Sequence, residues 1–380
     1  MRNLNNKTNG MNHFVTNIHI NKLFHLKDFD IPVADGKCPH LIITGKNGSG
    51  KTVLLNAVLD YISAMHAPAV SGLDAAHDAV VVDVADRKVF DDDDFIVSFY
   101  QADRKVNMLA PSSPTKPVLE KDLDVRQKYT SQFLNFLSDL KIQEALARNE
   151  SQLHDAEEIH SWFVSFEDLL RQIFQDEDLK LEFNYRDYSF KLCTEGKKFG
   201  FTELSDGFAA VLDIVADLIL RMQDGHSLTR AYKKQGIVLI DEIETHLHLE
   251  LQKIIMPLLT KLFPNIQFIV TTHSPFVLSS LPNAVAYDLE HREVVSDLTE
   301  YSYECLTEGY FRVKTQSSYS EMQLQRLRTL LSKDTLSGAE SVEVRQLRSE
   351  FDKIAEVLSP QLVGEYRQIL VDNAAKLRNL

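Results

Sequence analysis

The sequence predicts an α/β fold. Its centre is a mixed, largely parallel sheet, joined to an N-terminal antiparallel β-meander, a helical insertion and a helical C-terminal region. Three observations predict it. The short runs Leu41–Thr44, Ile237–Ile240 and Phe268–Thr271 are rich in β-branched residues and read as buried parallel strands. Helical spacing of apolar residues follows the first two, giving a βαβ rhythm. A glycine-rich segment, Gly45–Thr52, lies between the first strand and its helix.

The bulk numbers set the frame. The chain has 380 residues, 44% apolar and 25% charged, as in an ordinary globular protein. A formal charge of −14 argues against a surface built to coat nucleic acid, although a local basic groove stays open. Cys38, Cys193 and Cys305 lie far apart, which fits a reducing cytoplasm. The first dozen residues are polar and do not read as a leader. No apolar run reaches the roughly 20 residues needed to cross a bilayer, so no membrane association is expected.

In chain order, residues 1–12 read as a disordered terminus. The first lobe, residues 13–120, opens with alternating Val15, Ile18, Ile20 and Leu23, then Phe29, Ile31 and Val33, a meander leading into Leu41–Thr44. Leu54, Leu55, Val58, Leu59 and Ile62 recur at helical spacing after Thr52, and Val80–Val84 and Phe95–Tyr100 read as strands. The acidic run Asp91–Asp94 reads as a solvated loop before a metal site, and Ala110–Val118 as a linker.

Residues 121–178 form the helical insertion, with one aromatic stripe at Tyr129, Phe133 and Phe136 and another at Trp162, Phe163 and Phe166. The second lobe, residues 179–298, begins with a hairpin turning at Arg186-Asp187. It continues with a helix Phe208–Met222, the strand Ile237–Ile240, a helix Leu249–Leu262, the strand Phe268–Thr271 and a hairpin Val285–Val295. Residues 299–380 read as helices, with Leu347, Phe351, Ile354 and Leu358 on one face and Pro360 as a break.

Gly45–Thr52 matches G-x-x-x-x-G-K-[ST] in full. Gly45, Gly48 and Gly50 let the backbone curl so that successive N–H groups, those of Asn47 and Ser49 included, point at phosphate oxygens. Lys51 adds a charge at the outer phosphates, and the Thr52 hydroxyl can ligate Mg²⁺. Ile237–Ile240 ends in Asp241-Glu242. Asp241 is the candidate metal-shell carboxylate, and Glu242 the candidate base for an attacking water. Alone, the pair also reads as an acidic helix N-terminus, which the helix dipole favours. Leu204-Ser205-Asp206-Gly207 opens the next helix, with Ser205 as its cap and Gly207 at its positive end. Thr272-His273 closes the strand Phe268–Thr271 and brings an imidazole to the edge that carries Asp241.

The order of Gly45–Thr52, Leu204–Gly207, Ile237–Glu242 and Thr272-His273 resembles that of ABC-type ATPase heads. Asp241–His248 and Thr271–Phe276 are similar to the RecF/OLD-like branch, which includes PtuA-type ATPases of anti-phage systems. The resemblance covers Val15–Leu281 in patches. It implies ATP with Mg²⁺, slow regulatory hydrolysis using Lys51, Glu242 and His273, and two heads paired head to tail. ATP would then lie between the phosphate loop of one copy and Ser205 and Gly207 of the other. Gln101 is the candidate glutamine-loop residue toward Mg²⁺, with Asp103 and Arg104 close by. Glu244–His248 would be the loop that crosses the dimer interface, with His246 and His248 as dimer contacts or part of a solvated turn rather than metal ligands. The signature departs from Leu-Ser-Gly-Gly-Gln at Asp206 and Phe208.

The C-terminal residues show no Glu plus Asp-x-Asp arrangement, so the expected effector, a nuclease, is a separate protein. The other readings are an ATPase acting directly on DNA, as RecF and SMC-like heads do, and the motor subunit of a transporter. The signature, the insertion and the Asp-Glu-Ile-Glu run disfavour the transporter.

Overall fold

Strands with no polar side to show to water must be covered on both faces, and the computed structural model arranges the chain accordingly. It describes residues 14–33, 39–66, 79–92, 94–104, 108–110, 116–118, 124–223, 234–295, 298, 306, 318–333, 335–354 and 360–378. The expected disordered terminus, Cys38, Cys305, most of the linker, residues 121–123 of the insertion and Leu358 lie outside them. The chain divides into two units, residues 1–300 and 301–380.

In the first unit β3 (His40–Thr44), β9 (Gly236–Ile240) and β10 (Ile266–Thr271) are buried along their whole length. Among the described residues they belong to a six-stranded sheet ordered β12-β11-β3-β10-β9-β5. Here β5 is Ile96–Tyr100, β11 is Ala284–Asp288 and β12 is Glu293–Val295. All the pairs are parallel except β11 with β12. Gly236 is placed where β9 meets the start of β5. A Cβ there would run into the Ile96 carbonyl and come within 2.8 Å of the Ile96 Cβ. Gly236→Ala should therefore cost about 1–3 kcal/mol, the usual range for overpacking, read as a lowered denaturant midpoint.

The N-terminal strands β1 (Val15–Leu23) and β2 (Leu26–Pro32) form the expected antiparallel pair. Their sheet does not lead into β3, however. Its third strand is β4 (Val80–Val84), which returns after α1 (Lys51–His66) to pair with β1. Leu54, Leu55, Val58, Leu59 and Ile62 of α1 share one core with Ile18 and Ile20 of β1, Val80 and Val82 of β4, and Leu41, Leu239 and Ile269 of the parallel sheet. The helix is thus clasped between two sheets, and its N-terminus is fixed. A buried glutamine adds a tie. The Gln267 carbonyl accepts from the N–H groups of Phe14 and Val15, and its amide donates to Val15 O at 2.9 Å.

The insertion contains α2 (Phe133–Asn149) and α3 (Leu153–Phe174), packed through the expected aromatics. Phe136 meets Trp162 edge-on at 5.6 Å, and Trp162 stacks on Phe166 at 5.3 Å. The turn at Arg186-Asp187 joins β6 (Lys180–Asn184) to β7 (Ser189–Thr194), and a third strand, β8 (Lys197–Gly200), extends the hairpin. The helix expected at Phe208–Met222 begins earlier: α4 spans Asp206–Arg221. α5 (Leu249–Leu262) and the short α6 (Pro275–Leu278) complete the second lobe.

The second unit is helical: α7 (Ser318–Leu331), α8 (Gly338–Ile354), α9 (Pro360–Asp372) and α10 (Ala374–Leu377). Leu347 and Phe351 are buried with Leu327, Leu362 and Ile369. One expectation is corrected here. Ile354 is 38% exposed, because it lies in the last turn of α8 beyond that core. Pro360 stands at the expected break: α8 ends at Ile354 and α9 opens on the proline, whose missing N–H would have no partner at the first helical position anyway. Among the described residues, no helix is long and apolar enough to cross a membrane.

Candidate functional site

The carboxyl edge of the parallel sheet gathers the loops singled out by the sequence. β3 delivers Gly45–Gly50, and α1 starts at Lys51, so its first N–H groups face the loop. Gly45, Gly48 and Gly50 all have positive φ, of 137°, 80° and 100°. At Gly45 a Cβ would also stand 3.0 Å from Ser49 Oγ and 3.3 Å from Glu290 N, a tight fit on top of a φ that side chains rarely adopt. Lys51 is buried, and its ammonium donates to Gly45 O at 2.8 Å and Lys46 O at 3.1 Å. Burial draws its pKa down, opposed by the carboxylates of Glu242, Glu244, Asp241 and Asp288.

The acidic pair stands at the end of β9. Asp241 is buried; its N–H donates to Tyr100 O at 2.8 Å, and its Oδ1 accepts from Thr271 Oγ1 at 2.6 Å. The same Thr271 oxygen accepts from Glu242 N at 2.8 Å. Glu242 itself has φ 43°, a left-handed backbone uncommon for a side-chain-bearing residue. It is held from the other side by the buried Arg104, whose Nη2 donates to Glu242 O at 2.7 Å and Ile243 O at 3.1 Å. Desolvation lowers the Arg104 pKa, while Glu244, Asp213, Asp241 and Glu242 hold it up.

Glu242 and His273 line the same cleft as Asn47, Gly48, Gly50, Lys51 and Thr52, a space of about 320 Å³. The His273 pKa is lowered, first by burial and then by the Lys51 charge, against the pull of Glu244, Glu242 and Asp241. A hydroxyl at Thr52 and a buried carboxylate at Asp241 are hard oxygen donors of the type Mg²⁺ takes, so the residues fit that ion.

Among the expected residues, Gly45, Ser49, Asp241, Gln101, Ser205 and Gly207 stand outside this lining. Gln101 follows β5, whose Tyr100 is in register with Ile240, so it sits at the same sheet edge, but it is exposed and does not line the cleft. Ser205 occupies the cap position of α4 without a side-chain capping bond, and its side chain is exposed. Gly207 is buried against the Glu244–His248 loop, where a Cβ would come within 2.8 Å of His246 O. Close packing is therefore one reason for glycine at this position.

The opposite wall was not foreseen. The β1–β2 turn brings Leu23, Phe24, His25 and Leu26 to the cleft. His25 Nε2 donates to Ser49 O at 3.0 Å, and Phe24 is 77% exposed with φ 53°. The only sequence signal was an aromatic pair at the break in the meander. An exposed ring beside a phosphate loop offers a stacking face for a nucleobase, and Phe24→Ala should weaken nucleotide binding by roughly tenfold, as loss of one stacking contact does. Titration with a fluorescent nucleotide reads that change.

Residues 193–279 match the family model described as "AAA domain, putative AbiEii toxin, Type IV TA system". The chain is 31% identical to the Septu protein PtuA of Bacillus mycoides (strain KBAB4) over 172 residues, 42% of this chain and 24% of that one. It is 45% identical to the Retron Ec83 probable ATPase of Escherichia coli over 80 residues, 21% of this chain and 15% of that one. The chain thus spans a quarter or less of the length of these relatives. Among solved structures it is similar to an SMC head bound to the C-winged helix domain of ScpA, with a TM-score of 0.41 and 14% identity over 72% of this chain and 94% of that one.

Proposed function

We propose that the chain binds ATP with Mg²⁺ at Gly45–Thr52 and hydrolyses it slowly, as the regulatory ATPase of an anti-phage defence system. The observation that carries this reading is the convergence of Lys51, Thr52, Glu242 and His273 on one cleft. The loop N–H groups and Lys51 bind the phosphates. Thr52 and Asp241 would hold Mg²⁺, which would neutralise phosphate charge there. Glu242 orients the attacking water and takes its proton, and His273 contacts the outer phosphate. The names of the PtuA and retron relatives support the defence setting.

On this reading two copies pair head to tail, and the exposed Ser205 at the start of α4 meets the nucleotide of the partner copy. Ser205 stands apart from its own chain's cleft lining, which is the arrangement such a shared site needs. A separate effector, a nuclease, is then controlled by assembly. Sedimentation with ATP against ADP tests the pairing: one unchanged species in both would sink it. Affinity purification from the native host tests the effector, with a nuclease in constant proportion as the expected result.

The second reading is a RecF/SMC-like repair or recombination ATPase acting directly on DNA. It predicts DNA binding that weakens steeply with salt, because phosphate contacts release counterions. No binding at low salt would exclude it.

A further inference from the structure

Glu244 lies two residues beyond the candidate base, on the loop from β9 to α5, and its carboxylate faces the strand end that carries His273. Oε2 accepts from Thr272 Oγ1 at 2.7 Å, and Oε1 accepts from the backbone N–H of His273 at 2.5 Å. The two bonds grip consecutive residues of one loop. A second tie reinforces them. Gln252 of α5 donates its amide N–H to Leu247 O at 2.8 Å, while its amide oxygen accepts from Ser274 Oγ at 2.6 Å. Thr272 is anchored on the other side, its N–H donating to Ile43 O at 3.0 Å, next to the phosphate loop. The loop bearing His273 is thereby fixed to the phosphate-loop strand at one point and to the Glu244–His248 loop at two.

We infer that Glu244 is the positioning residue for His273: its bidentate acceptance from Thr272 and the His273 N–H sets where the imidazole stands in the cleft. A single acceptor would leave the peptide before His273 free to rotate; two acceptor oxygens in one plane define both position and direction. The Glu244 carboxylate makes no cleft contact of its own, and its action runs through the His273 backbone. The inference rests on the ATPase reading for its effect on rate, but the geometry is testable without it.

Two variants separate positioning from folding. Glu244→Ala removes both acceptors and should lower kcat by roughly 10²-fold with KM within a few-fold of the parent, because a displaced contact costs rate more than ground-state binding. Glu244→Gln keeps one acceptor for the His273 N–H, and its amide can donate to the Thr272 hydroxyl, so it should recover most of that loss. In a His273→Ala background Glu244→Ala should cost little more, since the group it positions is already gone. Independently of ATP, the His273 backbone amide should exchange its hydrogen faster in Glu244→Ala than in the parent, and in Glu244→Gln at a near-parental rate. Unchanged exchange in Glu244→Ala, full additivity with His273→Ala, or a Glu244→Gln rate as low as that of Glu244→Ala would each overturn the assignment. If the parent chain itself hydrolyses no ATP, the ATPase reading falls, and amide exchange alone decides the role of Glu244.

Discussion

Replacing Glu242 by Gln should slow phosphate release by roughly 10²–10⁴-fold, the range general-base catalysis supplies, while leaving ATP bound. The amide keeps the shape of the carboxylate but cannot take a proton. The backbone that presents it should be undisturbed, because Thr271 Oγ1 and Arg104 hold main-chain atoms of Glu242. On the proposed reading, Lys51 and the loop N–H groups are left to bind the phosphates. If two copies close on ATP, the variant should accumulate in the closed form and elute earlier on gel filtration with ATP. Phosphate release within tenfold of the parent would remove Glu242 from the role of base. Lost hydrolysis with unchanged size would leave the base and remove ATP-driven pairing.

Asp217→Ala is expected to destabilise the first unit by about 3–5 kcal/mol, the cost of breaking a buried ion pair from one side. Asp217 is fully buried in α4. Its Oδ2 accepts from Tyr100 OH at 2.7 Å and Arg221 Nε at 2.8 Å, and its Oδ1 accepts from Tyr129 N at 2.6 Å. Alanine would leave the Arg221 guanidinium, itself almost wholly covered, facing no carboxylate at that point. The same atoms join three elements: β5, which ends at Tyr100, the lead into the insertion at Tyr129, and α4. Chemical denaturation followed by tryptophan fluorescence suits the measurement, because Trp162 reports on the insertion. A loss below about 1 kcal/mol would mean that solvent reaches Arg221 and compensates it.

Much of this arrangement was legible because it is written in local patterns. Leu41–Thr44 and Ile237–Ile240 could be read as buried strands from their unbroken apolar character, and the Gly45–Thr52 loop from its spacing. What local pattern cannot carry is pairing between distant segments. Nothing in Val80–Val84 says that it will pair with β1 across the intervening helix, since that choice depends on α1 needing cover on its second side. In the sequence Arg104 is only a near neighbour of Gln101, and its role follows from β5 and β9 running parallel so that their ends meet. By sequence Glu244 belongs only to the expected interface loop. Its carboxylate bonds to Thr272 and His273, 28 and 29 residues away, become visible only when β9 and β10 are set side by side.

The left-handed backbone of Glu242 sets stability against turnover. Glycine is the residue that rests comfortably at that φ, whereas a side chain there costs about 1–2 kcal/mol. A population selected for thermal endurance alone should therefore drift toward glycine at 242 and lose the proposed base in the same step. Retention of glutamate under such selection would mark turnover as something the host still requires. Efforts to harden this protein by relaxing its backbone outliers would meet such a conflict at Glu242.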